Sequence, residues 1–156
     1  MGQEIWSGIV LEFSDFPSVE TWVRMLVRLL FATVFGGLIG YERGRSGKAA
    51  GLRTHMLVCL GTAFVLAVPQ QAGMQLMDMS RVIQGVMAGV GFIGAGAIWK
   101  GHGKGDIEGL TTAASIWFTA AIGIAVGLGR ESSALLAVIF VLAVLRLTPN
   151  VRKKKD

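Results

Sequence analysis

The chain has 156 residues, of which 53% are hydrophobic and only 16% charged, and its mean hydropathy is +0.60. That balance is too apolar for a soluble domain of this size, and the length allows one domain lying mostly inside a membrane. The net charge of +5 does not mark a nucleic-acid binder, because the basic residues cluster between apolar runs instead of lining one face.

Three regions follow in chain order: an outer amphipathic segment over residues 1–20, a transmembrane domain over 21–148, and a basic cytoplasmic tail over 149–156. The pattern predicts an all-α polytopic bundle. At the start, Ile5, Trp6, Ile9, Val10 and Phe13 recur at helical spacing opposite Glu4 and Glu12, which suits a short helix lying on the membrane surface. Met1–Phe13 has no basic leading region, so it does not read as a signal peptide. Five spans are then expected: Trp22–Gly40, His55–Val68, Val82–Trp99, Gly109–Leu128 and Ala134–Leu147. The second and fifth are short for a bilayer crossing, and the fifth is expected to start at Glu131. Pro69 and Pro149 are expected just beyond the ends of spans two and five.

Gly89–Gly94 fits the G-x-G-x-x-G pattern of dinucleotide-binding loops. That pattern holds a pyrophosphate only when it follows a strand and opens a helix, whereas here it lies inside an uncharged apolar run. Its glycines Gly89, Gly91, Gly94 and Gly96 are read as helix-packing residues. The pairs Gly36/Gly40, Gly85/Gly89 and Gly123/Gly127 each have G-x-x-x-G spacing, which lets helix backbones approach closely. In span four, Thr111, Ser115, Thr119, Gly123 and Gly127 form a mildly polar stripe at four-residue spacing, with Thr112 beside it. Its hydroxyls are expected to bond back to their own helix and not to line a path for ions.

Charge sets the expected orientation. Arg43, Arg45, Lys48 and Arg53 crowd the connection between spans one and two. Lys100 and Lys104 lie between three and four, and Arg152, Lys153, Lys154 and Lys155 follow five. For an odd number of spans these clusters share one side, which predicts an external N-terminus and a cytoplasmic C-terminus.

Inside the spans the polar residues are few. Arg28 lies roughly 9 Å beyond Trp22 along its helix, and either snorkels to the outer surface or has a buried partner. Gln84 is expected to make an interhelical hydrogen bond. At the inner junction, Glu42, Arg43, Lys48, Arg53, Thr54 and His55 form the richest polar cluster. Glu42 has Arg43 or Arg53 as prospective partners, and a cation near the start of a helix favours an anion close by. Lys100–Gly109, with His102, Lys104, Asp106 and Glu108, reads as a flexible connector and lacks phosphate-loop spacing.

Gly37–Arg43 (GLIGYER) and Gly47–Gly61 (GKAAGLRTHMLVCLG) resemble the signature of the MgtC/SapB family of bacterial inner-membrane proteins. Gly91–Gly96 (GFIGAG) and Gly109–Trp117 (GLTTAASIW) extend that resemblance through the middle of the chain. The resemblance implies a plasma-membrane protein of about five spans, linked to low-magnesium adaptation and, in some members, to virulence. It also implies modulation of other membrane machinery, including proton-driven ATPases, in spite of an older magnesium-transport label. Virulence-type members carry a soluble C-terminal domain, whereas this sequence ends at Asp156 after a basic tail.

The expected function is therefore a non-enzymatic regulator that binds lipid and a partner membrane protein, with self-association as a further option. The alternative is a small ion carrier or channel subunit using Arg28, Gln84 and the hydroxyl stripe. No catalytic residue, metal site or cofactor is expected, and no Asp or Glu falls within any span as drawn.

Overall fold

The computed structural model describes residues 1–12, 14, 18–100 and 107–148. Phe13, His102, Lys104, Asp106, Pro149 and the basic tail lie outside the described residues. The described chain is helical, as expected: α1 (Gly2–Glu12), α2 (Val19–Arg45), α3 (Leu52–Gln71), α4 (Leu76–Gly96), α5 (Leu110–Gly127) and α6 (Glu131–Leu147). Between α4 and α5 stand two short antiparallel strands, β1 (Trp99–Lys100) and β2 (Ile107–Glu108). The expected connector is thus pinned at both ends, because the Trp99–Glu108 and Lys100–Ile107 pairs join them.

Local chemistry explains the helix ends. Ser18 caps α2, its hydroxyl accepting from the Thr21 amide at 3.2 Å. The C-termini of α2, α3 and α5 close in the same way, with Gly47, Gly73 and Gly129 at positive φ just past the last turn. At α2 the Gly47 amide donates to the Gly44 carbonyl and the Lys48 amide to the Arg43 carbonyl, both at 3.1 Å. Pro69 lies within α3, in its last turn, and not beyond the helix as expected. Its carbonyl accepts the Met74 amide that closes the turn. The third expected span also shifts: α4 starts at Leu76, and Trp99 belongs to the hairpin.

α5 is the central helix. It contacts α2, α3, α4 and α6, and ten of its 18 residues are buried. One cluster joins Ala32, Phe35 and Ile39 of α2 to Cys59 and Ala63 of α3, Ile122 and Val126 of α5, and Ala134 and Val138 of α6. A second places Val90 of α4 on Ile116 and Ala120 of α5. α4 and α6 are peripheral, α4 burying only Met79, Val90 and Gly94 and α6 only Ala134 and Val138. α1 buries no residue, and its Ile5, Trp6, Ile9 and Val10 are exposed.

The glycine pairs divide into two groups. A Cβ on Gly36 would stand 2.5 Å from the His55 carbonyl oxygen, and one on Gly40 2.7 Å from Leu52 Cα. On the other side of α3, a Cβ on Gly123 would enter Thr62 Oγ1 and the Cys59 carbonyl, and one on Gly127 would stand 2.5 Å from the Ala63 carbonyl oxygen. Gly94 makes an ordinary contact with Ala113. α3 is therefore clasped between α2 and α5 at van der Waals distance, where dispersion replaces the hydrophobic drive that lipid removes. Gly85, Gly89, Gly91 and Gly96 have nothing within 4 Å of a Cβ and pack against no other helix of this chain. The packing expected for these four within the bundle is corrected: all four are exposed, and Gly85, Gly89 and Gly96 share the face of α4 turned away from it.

Among the described residues, four helices are long and apolar enough to cross a membrane: α2, α3, α4 and α5. The 17 residues of α6 rise about 25 Å.

Candidate functional site

Alternating helix direction places the end of α2 beside the starts of α3 and α5, and the start of α2 beside the ends of α3 and α5. Among the described residues, each end of the bundle holds one arginine whose hydrogen bonds bridge elements distant in sequence.

At the first end, Arg28 donates through Nη1 to Gln70 Oε1 at 2.6 Å and to the Gly127 carbonyl at 3.0 Å. Gln70 in turn donates to the Leu128 carbonyl at 3.4 Å, and Glu131 approaches Arg28 Nε at 4.0 Å. The guanidinium thus sits where the carbonyls of α3 and α5 run out, and a cation there is favoured by the helix dipoles. This decides between the two expectations for Arg28: it braces three helix ends and does not merely snorkel. No sequence pattern pairs Gln70 or Glu131 with Arg28, because only the antiparallel return of α3 and α5 brings them to α2. Arg24, by contrast, makes an exposed pair with Glu20 on its own helix. Hydrogen bonds to a charged group contribute about 1.5–3 kcal/mol. Arg28→Met is therefore expected to lower the unfolding free energy in detergent by about 2 kcal/mol, and Arg24→Met to change it by less than about 0.5 kcal/mol. Equal thermal shifts for the two would refute the brace.

The opposite end carries the junction cluster. The approach of Gly40 to Leu52 draws the last turn of α2 over the start of α3, which buries Glu42 and Arg43 at 8% and 3% exposure. Glu42 Oε1 accepts from Ser46 Oγ at 2.8 Å. Arg43 Nη2 donates to Thr112 Oγ1 of α5 at 3.4 Å. Glu42 Oε2 and Arg43 Nε are buried with no hydrogen-bond partner among the described residues. The expected pairing of Glu42 with Arg43 or Arg53 is not formed: no ion pair joins them among the described residues. Arg53 is exposed on the first turn of α3 and Thr54 is half-buried, so neither joins the buried cluster.

His55 is fully buried between α3 and α5. Its Nδ1 lies 2.9 Å from the Gly51 carbonyl and its Nε2 3.1 Å from Ser115 Oγ. Ser115 also reaches the Thr112 carbonyl at 2.8 Å, and Thr119 Oγ1 donates to the Ser115 carbonyl at 2.8 Å. With its N–H on Nδ1, a neutral ring accepts at Nε2, and the Ser115 hydroxyl then chooses between the ring and Thr112. Arg43, Thr112, Ser115 and His55 thereby make one polar seam through α2, α5 and α3.

The seam corrects the expected stripe in one place. Thr112, Ser115, Thr119, Gly123 and Gly127 are buried, while Thr111 is exposed. The back-bonding expected of these hydroxyls holds for Ser115 and Thr119. Gln84 does not bond across helices as expected; it is exposed on the outer face of α4 beside Gly85, Ala88 and Gly89.

Two cavities at the junction are lined by Arg43. One of about 410 Å³ is lined by Arg43, Lys48, Trp99, Glu108 and the first turn of α5. The other, of about 390 Å³, lies against Glu42, Arg43, Lys48 and Thr111. Lys48 is half-buried, and its backbone is tied to Arg43 by the closing turn of α2.

Comparison with known proteins identifies the family. The MgtC family model matches residues 29–154, from within α2 through α6. The chain is 42% identical over 135 residues to "Protein SrpB" of Synechococcus elongatus, covering 80% of this chain and 74% of that protein. It is 40% identical over 131 residues to the "Putative magnesium transporter YhiD" of Escherichia coli K12, covering 80% of this chain and 60% of that protein. It is 42% identical over 115 residues to "Protein MgtC" of Brucella abortus, covering 72% of this chain and 46% of that protein. The chain thus spans less than two thirds of the last two relatives, and less than half of the second. No solved structure matches. With a family model over most of its length and four helices able to cross a bilayer, this chain is a multi-pass membrane protein and belongs to the MgtC family.

Proposed function

We propose that this protein is a non-enzymatic regulator in the bacterial inner membrane, acting on a partner membrane protein during magnesium limitation or a related stress. The observation that carries the reading is the contrast between its two sets of small residues. Beyond the exposed Thr111 the polar stripe of α5 is packed shut: the Ser115 and Thr119 hydroxyls bond within the bundle, and Gly123 and Gly127 lie flush on α3. The small-residue face of α4, with Gln84, Gly85, Ala88 and Gly89, is exposed on the outside of the bundle. A sealed stripe does not serve as a path for a hydrated ion, whereas an open small-residue face with an amide suits a helix of another protein. Such a helix belongs to a partner, a proton-driven ATPase by resemblance, or to a second copy of this chain.

The reading includes an orientation. Arg43, Arg45, Lys48, Arg53 and Lys100 gather at one end of the bundle, and this clustering of positive charge supports a cytoplasmic location for that end. If α6 also spans, the N-terminus is outside and the C-terminus inside.

Gly85→Leu combined with Gly89→Leu tests the proposal. The double variant is expected to insert at the parent level by immunoblot, yet to lose growth in low magnesium and copurification after mild crosslinking. Unchanged growth and copurification would remove α4 as the partner face. The E. coli relative carries a magnesium-transporter name, which sustains transport as the competing reading. Purified protein in liposomes is expected to give no saturable influx on a trapped magnesium dye, and such an influx would establish the competing reading instead.

A further inference from the structure

We infer that the cavity between Arg43, Lys48 and the start of α5 is a binding site for a phosphate group. The inference stands apart from the regulator reading, since a carrier would keep the same pocket.

Three donor groups converge there from separate elements. The first is Arg43, 3% exposed, which lines the cavity and whose Nε has no partner among the described residues. The second is Lys48, placed by the closing turn of α2. The third is the N-terminus of α5. Its cap residue, Gly109, offers no side-chain hydrogen bond, and the intrahelical ladder begins with the Ala113 amide donating to the Gly109 carbonyl at 2.8 Å. The amides of Leu110, Thr111 and Thr112 precede that ladder, and all three residues line the cavity. These amides and the positive end of an 18-residue helix form an anion cradle, to which the Thr111 hydroxyl adds a further donor.

The geometry favours phosphate over carboxylate. A phosphomonoester presents three oxygens to donors on different sides, matching a guanidinium, an ammonium and a helix terminus. A carboxylate offers two oxygens in one plane, which a single arginine satisfies. Glu108 is the carboxylate lining this cavity, and Arg43 with Lys48 outweighs it; Glu42 lines the neighbouring one. The site lies at the end of the bundle richest in basic residues, so its phosphate comes either from a lipid headgroup or from solution.

Trp99 lines the same cavity and supplies the readout. Protein purified in phosphate-free mild detergent is titrated with inorganic phosphate and, separately, with short-chain phosphatidate. A saturable change in tryptophan emission is expected, absent in Trp99→Phe. Lys48→Gln is expected to weaken binding at least tenfold, and Arg43→Gln more, with each variant first shown to be monodisperse. Lys48 is half-buried and outside the helix core, so its variant keeps the test open if Arg43→Gln fails to fold. Tighter binding of phosphatidate assigns the site to lipid; equal or weaker binding assigns it to soluble phosphate. No saturable change with either ligand, or parent-like binding by Lys48→Gln, overturns the inference.

Discussion

Gly123→Leu is expected to abolish recovery of folded protein, while Gly85→Leu, made alone, leaves recovery near the parent level. At Gly123 a single Cβ already enters Thr62 Oγ1 and the Cys59 carbonyl, so four added carbons must separate α5 from α3. That separation undoes the cluster joining α2, α3, α5 and α6. It also draws Ser115 away from His55. Overpacking of a close core contact costs typically 1–3 kcal/mol when neighbours can yield, but here one obstacle is backbone, which cannot turn to another rotamer. At Gly85 nothing lies within 4 Å, so the new side chain meets no other helix of the bundle. The measurement is the monodisperse fraction in mild detergent at matched membrane expression. Comparable losses for the two variants would mean that the α3–α5 seam is not the close contact described.

Gly109→Ala is the second change with a large expected effect. Gly109 has φ of +89°, a conformation that costs an L-residue about 1–2 kcal/mol. Its Cβ would in addition run into the carbonyl of Ala97, at the end of α4. Strain and overlap together are expected to destabilise the protein by about 3 kcal/mol or more, since the overlap again involves backbone. Gly47→Ala provides the comparison. Gly47 has φ of +66° but nothing within 4 Å, so only the conformational term of about 1–2 kcal/mol applies. Thermal unfolding of both variants in the same detergent separates the two contributions. A Gly109→Ala midpoint equal to that of Gly47→Ala would show that α4 and α5 do not meet as tightly as described.

Much of the architecture is legible in the amino-acid sequence. Apolar runs of bilayer length separated by basic or turn residues specify helices in lipid, because a backbone in hydrocarbon must satisfy its hydrogen bonds internally. The spans around Trp22–Gly40 and Gly109–Leu128 therefore lie within α2 or nearly coincide with α5. Boundaries are less legible where chemistry is mixed. Leu76–Arg81, with Asp78 and Arg81, looks like a connection by composition yet forms the first turns of α4. Pro69 looks like a terminator yet sits in the last turn of α3, where the ring costs only one hydrogen bond.

What the sequence determined by itself is the class of the molecule: an all-α membrane protein whose junction motif GLIGYER and following basic loop identify its family. Composition and periodicity suffice for that, because they are properties of each segment and its solvent. The tertiary structure alone decided which of several similar features do what. Gly36/Gly40, Gly85/Gly89 and Gly123/Gly127 share one spacing, yet two pairs clasp α3 and one faces outward. Arg43 and Arg53 stand in the same cluster, yet one is buried against Thr112 and the other is exposed. Arg28 becomes a brace only because the ends of α3 and α5 return to it. Spacing defines a helix face, but a face has no meaning until another helix is laid against it, and that choice depends on contacts between residues as far apart as Arg28 and Gly127.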